Sequence, residues 1–278
     1  MSFADSCVRI KKEHSVSIVY IASNDEEFIK DVIKNSFPTK VIVAASDKQL
    51  QDRLEKIDVN VKKIPQTYMP TISTLAHIEN LIVDAVVSDI VQDNDKVLFI
   101  TKGDEFEVVI VTDTKDIGIT KLRKNIENRI DVHLMDIVLK LCLEIVEEGR
   151  ENRNIGTLFV IGDVENVMKH SRQLIINPFH GHDESVRSVF DSNSWETLKE
   201  FAKLDGGFIA DEKGTVISAG RYFTTVDLDV DLQSGLGSRH LAAASISKVT
   251  KAISVVVSSS GIIQVFMDGK PIFKMRAH

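Results

Sequence analysis

Short apolar runs rich in β-branched residues alternate with amphipathic segments through the first 114 residues, and this alternation constrains the fold more than any other feature. Five runs are predicted strands: 15–23, 40–46, 59–65, 96–103 and 107–114. Three segments between them are predicted helices: 25–37, 47–57 and 74–91. Because alternating strands and helices form a largely parallel sheet with helices packed against it, we predict an amino-terminal α/β domain.

The chain becomes polar and mixed around residues 115–125, which predicts a domain boundary. We place it between domains 1–124 and 125–278. The second domain has several predicted helices and strands: helix 126–150, strand 156–163, helix 195–204, strands 208–210 and 215–219, and a helix from about 238. This mixture predicts an α+β domain with a mixed sheet, so the whole chain is assigned to the α/β class.

Composition excludes several classes of protein. A net charge of −7 argues against a general nucleic-acid binder, whose affinity depends on a basic surface, and no nucleic-acid partner is expected. Cys7 and Cys142 are too far apart in sequence to indicate a disulfide framework or a zinc site. The start of the chain lacks the apolar core of a signal peptide, and no apolar run approaches the roughly 20 residues that span a bilayer. We therefore expect a cytoplasmic protein without a membrane partner.

Arg239 and His240 follow a glycine-rich turn at the start of the last predicted helix. One face of this helix is apolar and is expected to anchor it to a core: Ala242, Ile246, Val249 and Ile253. Positive side chains at a helix amino terminus are unfavourable against the helix dipole, so their placement predicts a bound anion such as phosphate. The alternative is that both are solvated first-turn residues behind Ser238 as the N-cap.

A second candidate element is the turn Asp205-Gly206-Gly207, which lies just before a predicted strand. Taken alone it predicts only a tight turn, in which glycine permits close approach of another group. An acidic turn and a positively charged helix start in one small domain together predict a metal–nucleotide site. His180 and His182 have metal-like spacing, but without a nearby third ligand we interpret them as loop residues.

These residues resemble the nucleotide-cyclising domain of the diadenylate cyclases, whose motifs are Asp-Gly-Ala and Gly-Thr-Arg-His-Arg. The matching stretches here are 205–207 and Gly237-Ser238-Arg239-His240-Leu241. The resemblance is most specific over 156–269 and is greatest to the archaeal branch. That branch carries an amino-terminal domain similar to the carboxyl-terminal domain of pyruvate kinase, which suits residues 1–124.

The resemblance implies a metal-dependent synthesis of cyclic di-AMP from two ATP, with release of two pyrophosphates. It implies that Asp205 binds Mn²⁺ or Mg²⁺, and that Leu236 borders the adenine. It assigns the remaining site residues to the phosphates or to close approach of the ligand: Gly206, Gly207, Gly237, Ser238, Arg239 and His240. Because one such site holds one ATP, the resemblance also implies a homo-oligomer in which two catalytic domains face each other.

Three positions depart from the family pattern. Leu241 replaces the second arginine, Lys251 stands where an acidic residue is common, and Ser259 falls near a glutamate that helps to hold metal. These departures leave open a catalytically silent nucleotide-binding regulatory protein of the same fold. A third alternative is an allosteric module similar to the pyruvate kinase domain, with the second half as a scaffold.

Overall fold

The computed structural model describes residues 3–36, 39–56, 60–63, 75–102, 106–149, 155–225 and 237–276. The chain divides into two compact units between Lys121 and Leu122. No helix in these described ranges is both long enough and apolar enough to cross a membrane.

The amino-terminal unit is a five-stranded sheet with helices. Its strands are β1 (Ile18–Ala22), β2 (Lys40–Ala45), β3 (Asn60–Lys63), β4 (Lys96–Lys102) and β5 (Glu107–Asp113). Its helices are α1 (Phe3–Glu13), α2 (Glu26–Ser36), α3 (Lys48–Glu55) and α4 (Leu75–Val87). The sheet order is β3-β2-β1-β4-β5, in which only the β4–β5 pair is antiparallel. The predicted α/β fold with a largely parallel sheet is confirmed.

The core of this unit is formed by apolar side chains at every second position of the strands. Val19 and Ile21 of β1 lie on one face of the sheet and are fully buried with Ile29 of α2 and Leu50 of α3. Such a two-residue period places every second side chain of a strand on the same face. Helices that bring apolar residues to this face complete a layered α/β structure.

The segment interpreted as a polar boundary contains a helix, α5 (Gly118–Ile126), which the sequence analysis missed. Ile119, Leu122 and Ile126 are fully buried and recur at helical spacing between charged neighbours. The division between the units falls within this helix. A helix with so few apolar positions is difficult to distinguish from a polar linker by composition.

The carboxyl-terminal unit has a seven-stranded sheet. Its helices are α6 (Val132–Glu148), α7 (Val164–Lys169), α8 (Trp195–Ala202) and α9 (Ser238–Val249). Its strands are β6 (Thr157–Ile161), β7 (Ser171–Gln173), β8 (Gly207–Ala210), β9 (Val216–Phe223), β10 (Ile253–Val257), β11 (Ile262–Met267) and β12 (Lys270–Arg276). The order is β12-β11-β10-β6-β8-β9-β7, and only the β6–β8 pair is parallel. The predicted mixed sheet is confirmed.

Helix α9 packs on one face of this sheet through small and apolar residues. Ala243, Ala244 and Ile246 are fully buried against strand residues that include Leu158 and Val256. The predicted extension of the apolar face to Val249 and Ile253 is wrong. The helix ends at Val249, which is 37% exposed, and Ile253 begins β10.

Candidate active site

The turn before β8 is shaped by its glycines. Gly206 has φ +98°, a conformation that side chains rarely adopt, and an added Cβ would lie 2.6 Å from the Gly220 carbonyl carbon. A Cβ on Gly207 would lie 2.7 Å from the Leu158 carbonyl oxygen. The turn is therefore packed against β9 and β6, and both positions require glycine because backbone atoms would have to move to admit a side chain.

This rigid turn presents Asp205 to solvent. The Asp205 side chain is 94% exposed, and its Oδ1 lies 4.0 Å from Nη2 of Arg239. A long, exposed ion pair of this kind contributes little to stability. The carboxylate is thus free to meet a ligand, while the nearby guanidinium supplies a positive charge at the same place.

Arg239 belongs to the first turn of α9, where backbone N–H groups have no partner within the helix. Gly237 is the N-cap and has no side chain with which to cap the helix, so the prediction that Ser238 is the N-cap is wrong. Ser238 is instead the first helical residue. Gly237 has φ −71°, and an added Cβ there would meet nothing within 4 Å, so neither conformation nor space requires glycine at this position.

A pocket of about 470 Å³ opens between the turn and α9, and we call it the Asp205 pocket. Its floor includes Leu158 of β6 and Phe223 of β9. Tyr222 lies at its rim, 45% exposed, with the Arg172 guanidinium carbon 5.0 Å from the centre of its ring. Five of the predicted site residues line this pocket: Asp205, Gly206, Gly207, Ser238 and Arg239.

Arg221 of β9 also lines the Asp205 pocket, and sequence reasoning missed it. It is 8% exposed, and burial lowers the pKa of its guanidinium. Its Nε donates to the Ser171 hydroxyl at 3.0 Å, and its Nη1 donates to Oε1 of Gln173 at 3.2 Å. Because both acceptors are neutral, neither compensates the positive charge of Arg221. The sequence signal that could have identified it is a charged residue among the mainly apolar and small residues of β9.

A second pocket, of about 340 Å³, lies where α9 begins beside the ends of β10 and β12, and we call it the Lys274 pocket. Ser238 and Arg239 line both pockets. His240, in contrast, lines the Lys274 pocket but not the Asp205 pocket, so its side chain and that of Asp205 face different pockets. Burial, with a smaller contribution from the charge of Lys274, lowers the pKa of His240, which favours the neutral ring.

The three departures from the motif lie in different places. Leu241 lines the Asp205 pocket and Ser259 lines the Lys274 pocket. Lys251 lines neither pocket, and its backbone N–H donates to Oδ2 of Asp163 at 2.8 Å. Leu236, predicted to border an adenine, lies outside the described residues.

Asp205 is the sole carboxylate among the described residues that line the two pockets. No group of three or more His, Cys, Asp or Glu side chains suited to a metal ion occurs in the described parts of the chain. A Mg²⁺ ion is commonly held by one or two carboxylates together with phosphate oxygens of a substrate and water. The described residues of the pocket fit an ion that arrives with a nucleotide.

Comparison with known proteins finds a family match over the same part of the chain. The family described as DisA bacterial checkpoint controller nucleotide-binding matches residues 145–271, which include the Asp205 turn and α9. A relative named diadenylate cyclase from Methanocaldococcus jannaschii is 44% identical over 202 residues, or 69% of this chain and 64% of that protein. Another of that name from Haloferax volcanii is 36% identical over 149 residues, or 53% of this chain and 54% of that protein. The matches thus span less than two thirds of each relative.

A solved structure of Cryptosporidium parvum pyruvate kinase in complex with ADP is similar at 13% identity, with a TM-score of 0.33. It covers 40% of this chain and 22% of the pyruvate kinase chain. That likeness is too low to carry an argument, and the pyruvate-kinase-like character of residues 1–124 stays a prediction. The match over residues 145–271 and the two archaeal relatives lead to a firmer conclusion: residues 145–271 belong to the DisA-type nucleotide-binding family, and the chain is similar to proteins named diadenylate cyclase.

Proposed function

We propose that this protein is a diadenylate cyclase that joins two ATP molecules into cyclic di-AMP. The observation that carries the proposal is the placement of an exposed carboxylate, Asp205, 4.0 Å from the guanidinium of Arg239, at a helix amino terminus whose N-cap is a glycine. Anionic phosphates are stabilised by the helix N–H groups and by Arg239. The two relatives named diadenylate cyclase support the same activity.

The reaction joins the ribose 3′-hydroxyl of one ATP to the α-phosphorus of the other, and then repeats in the opposite direction. Each step forms an O3′–Pα bond and breaks the bond from Pα to the bridging oxygen. Pyrophosphate leaves with the electron pair of that bond, and the hydroxyl proton passes to solvent. Catalysis therefore requires correct positioning and neutralisation of phosphate charge.

The residues of the Asp205 pocket suit these requirements. Arg239 and the first N–H groups of α9 hold the phosphates, and buried Arg221 adds positive charge to the wall of the pocket. Asp205 is the residue that would hold a Mn²⁺ or Mg²⁺ ion, which when bound neutralises phosphate charge during transfer. The tightly packed glycine turn positions the backbone of Asp205 beside the pocket.

One pocket of about 470 Å³ is suited to one nucleotide, so the proposal includes a pair of facing carboxyl-terminal units in a homo-oligomer. Residues 1–124 are proposed to be the pyruvate-kinase-like domain of the archaeal branch, and the cytoplasm is the proposed location. The pairing supplies the second nucleotide of the reaction, whereas the chemistry does not depend on the identity of residues 1–124 or on the location.

The test is to incubate the purified chain with ATP and Mn²⁺ or Mg²⁺ and to resolve the products by chromatography. We expect cyclic di-AMP and pyrophosphate in a ratio of one to two. The second candidate is a catalytically silent nucleotide-binding protein, which Leu241 favours because an apolar side chain lines the pocket where the family motif has an arginine. Binding of ATP without any product, with either metal, would establish that candidate instead.

A further inference from the structure

A glycine interrupts the apolar pattern directly before β6. Leu158 and Val160 of this strand lie on the face of the sheet that α9 covers, and both are buried there. Because the side chains of a strand alternate between its two faces, a side chain two residues before Leu158 would point to the same face. Residue 156 is a glycine, so this place under α9 is left without a side chain.

The space in front of Gly156 is occupied by the side chain of Arg239. A Cβ on Gly156 would lie 2.9 Å from Nη1 of Arg239 and 3.5 Å from its Cζ. Non-bonded heavy atoms are ordinarily about 3.5–4.0 Å apart, so the guanidinium would have to move. The backbone atom nearest to that Cβ, the Val257 carbonyl oxygen, is at 3.4 Å, which is an ordinary contact. A side chain at residue 156 would therefore displace Arg239 and leave the backbone in place.

The backbone conformation does not explain this glycine. Gly156 does not have a positive φ, in contrast to Gly206. A Cβ on Gly206 or Gly207 would meet backbone atoms at 2.6 or 2.7 Å, whereas the close neighbour of Gly156 is the end of a flexible side chain. An alanine at residue 156 is thus compatible with the fold, and the glycine matters for the position of Arg239.

The Arg239 guanidinium is held only weakly by polar contacts. Its side chain is 39% exposed, and its ion pair with Asp205 is long, at 4.0 Å. A pair of this kind contributes little energy to holding the side chain in one position. Nη2 is the nitrogen that lies near Asp205, whereas Nη1 lies beside Gly156. The space at Gly156 therefore decides where the guanidinium lies.

We propose that Gly156 is a positioning residue for nucleotide binding, because it leaves the space in which the Arg239 guanidinium reaches its place beside Asp205. This inference rests on the proposed function, in which Arg239 binds the phosphates of ATP. Gly156 has no side chain with which to contact the nucleotide, so it acts through Arg239. The donors of a guanidinium form a rigid planar fork, so their hydrogen bonds to phosphate depend on where the fork lies and how it is turned. Displacement of this fork by a Cβ weakens those bonds.

The experiment is calorimetric titration of the full chain with a non-hydrolysable ATP analogue and Mg²⁺. We expect Gly156→Ala to bind the analogue at least about fivefold more weakly than the wild type, because the guanidinium of Arg239 is displaced. The melting temperature without ligand should change little, since the nearest backbone atom is at an ordinary contact distance.

Thr157→Val is the matched control. Thr157 is the first residue of β6, and its side chain points to the face opposite that of Leu158. Within the described parts of the chain its buried hydroxyl has no hydrogen-bond partner, so a valine of similar size can replace it. The affinity of this variant for the analogue should equal that of the wild type.

A double-mutant cycle with Arg239→Ala distinguishes positioning from a general disturbance of the site. In the Arg239→Ala background, Gly156→Ala should change the affinity by less than about twofold, because the side chain through which it acts is absent. Two results would overturn the inference: a folded Gly156→Ala protein that binds the analogue as the wild type does, or an equal loss of affinity with and without Arg239.

A cyclase assay on the same wild-type preparation separates this inference from the proposed function. Binding of the analogue that depends on Gly156, without synthesis of cyclic di-AMP, would contradict the proposed function and support the positioning role. Synthesis of cyclic di-AMP by a wild type whose nucleotide affinity is unaffected by Gly156→Ala would do the reverse.

Discussion

Asp205 and its two glycines have opposite relations to the fold. The Asp205 side chain is 94% exposed, whereas Gly206 and Gly207 are enclosed by backbone atoms of β9 and β6. A side chain that contacts so little protein contributes little to stability. Substitution of Asp205 is therefore expected to affect catalysis, whereas substitution of Gly206 or Gly207 is expected to affect stability.

For Asp205→Asn we expect a turnover at least about 100-fold lower, because the amide keeps the shape but loses the charge that holds a metal ion. The melting temperature without ligand should change little, since the side chain is exposed. Product formation and thermal melting are measured on the same preparation. Near-normal synthesis of cyclic di-AMP by this variant would remove Asp205 from the site.

For Arg239→Ala we expect ATP affinity to fall by about 1.5–3 kcal/mol, because a charge-assisted hydrogen bond to phosphate is lost. Calorimetric titration with a non-hydrolysable ATP analogue measures this loss. Lys251→Ala is a suitable control, since Lys251 is exposed and lines neither pocket. Unchanged affinity in folded Arg239→Ala would exclude its contact with phosphate.

For Gly206→Ala we expect a loss of about 2–4 kcal/mol in the free energy of unfolding, since a positive φ and a Cβ 2.6 Å from backbone must both be accommodated. Gly237→Ala should cost less than about 1 kcal/mol, because its φ is negative and the space is open. Urea denaturation of both variants provides the comparison. Equal losses would show that the turn relaxes to accept a side chain.

At the scale of elements, α8 is joined to α6 by a buried lysine. The Lys199 side chain is 6% exposed and lies 3.2 Å from a carboxylate oxygen of Glu144 and 2.6 Å from one of Glu196, with Glu148 also in contact. Burial opposes the charge, but hydrogen bonds to the three carboxylates raise the pKa of Lys199. Lys199 of α8 thus contacts two carboxylates of α6 and one of its own helix, so a single cation balances three negative charges where the helices meet.

For Lys199→Met we expect a loss of about 1–3 kcal/mol in the free energy of unfolding, because three carboxylates would face one another without their cation. The partial exposure of those glutamates keeps the loss below that of a fully buried pair. Lys203→Met, which removes a more exposed pair with Glu200, should cost less than about 1 kcal/mol. A stable Lys199→Met protein, judged by its urea midpoint, would contradict this account.

At the scale of the whole molecule, the proposed reaction requires two nucleotides, one from each of two facing sites. We expect activity per chain to fall at dilutions where the oligomer separates, because a lone site holds one of the two reactants. Enzyme assays across a dilution series are compared with light scattering of the same samples. A rate strictly proportional to enzyme concentration through the dissociation would contradict the paired arrangement.

The sequence alone determined much of the architecture, because hydrophobic period depends on local residues. Alternating apolar runs predicted the parallel strands of the first unit. The glycines and charged residues at 205–207 and 237–240 pointed to the family and to five of the residues that line the Asp205 pocket. Composition concealed α5, since its few apolar positions reveal a helix only once Ile119, Leu122 and Ile126 are seen to be buried.

Tertiary structure decided which of these residues meet. Consecutive residues of a helix point about 100° apart, so Arg239 lies beside Asp205 whereas the side chain of His240 enters the other pocket. Gln264 and Lys274 join His240 there because the register of β11 and β12 aligns them. The Asp268-Gly269 turn that joins β11 to β12 is a local hairpin signal and sets their register, whereas the packing of α9 against this hairpin joins distant segments, and no local pattern in the sequence specifies it.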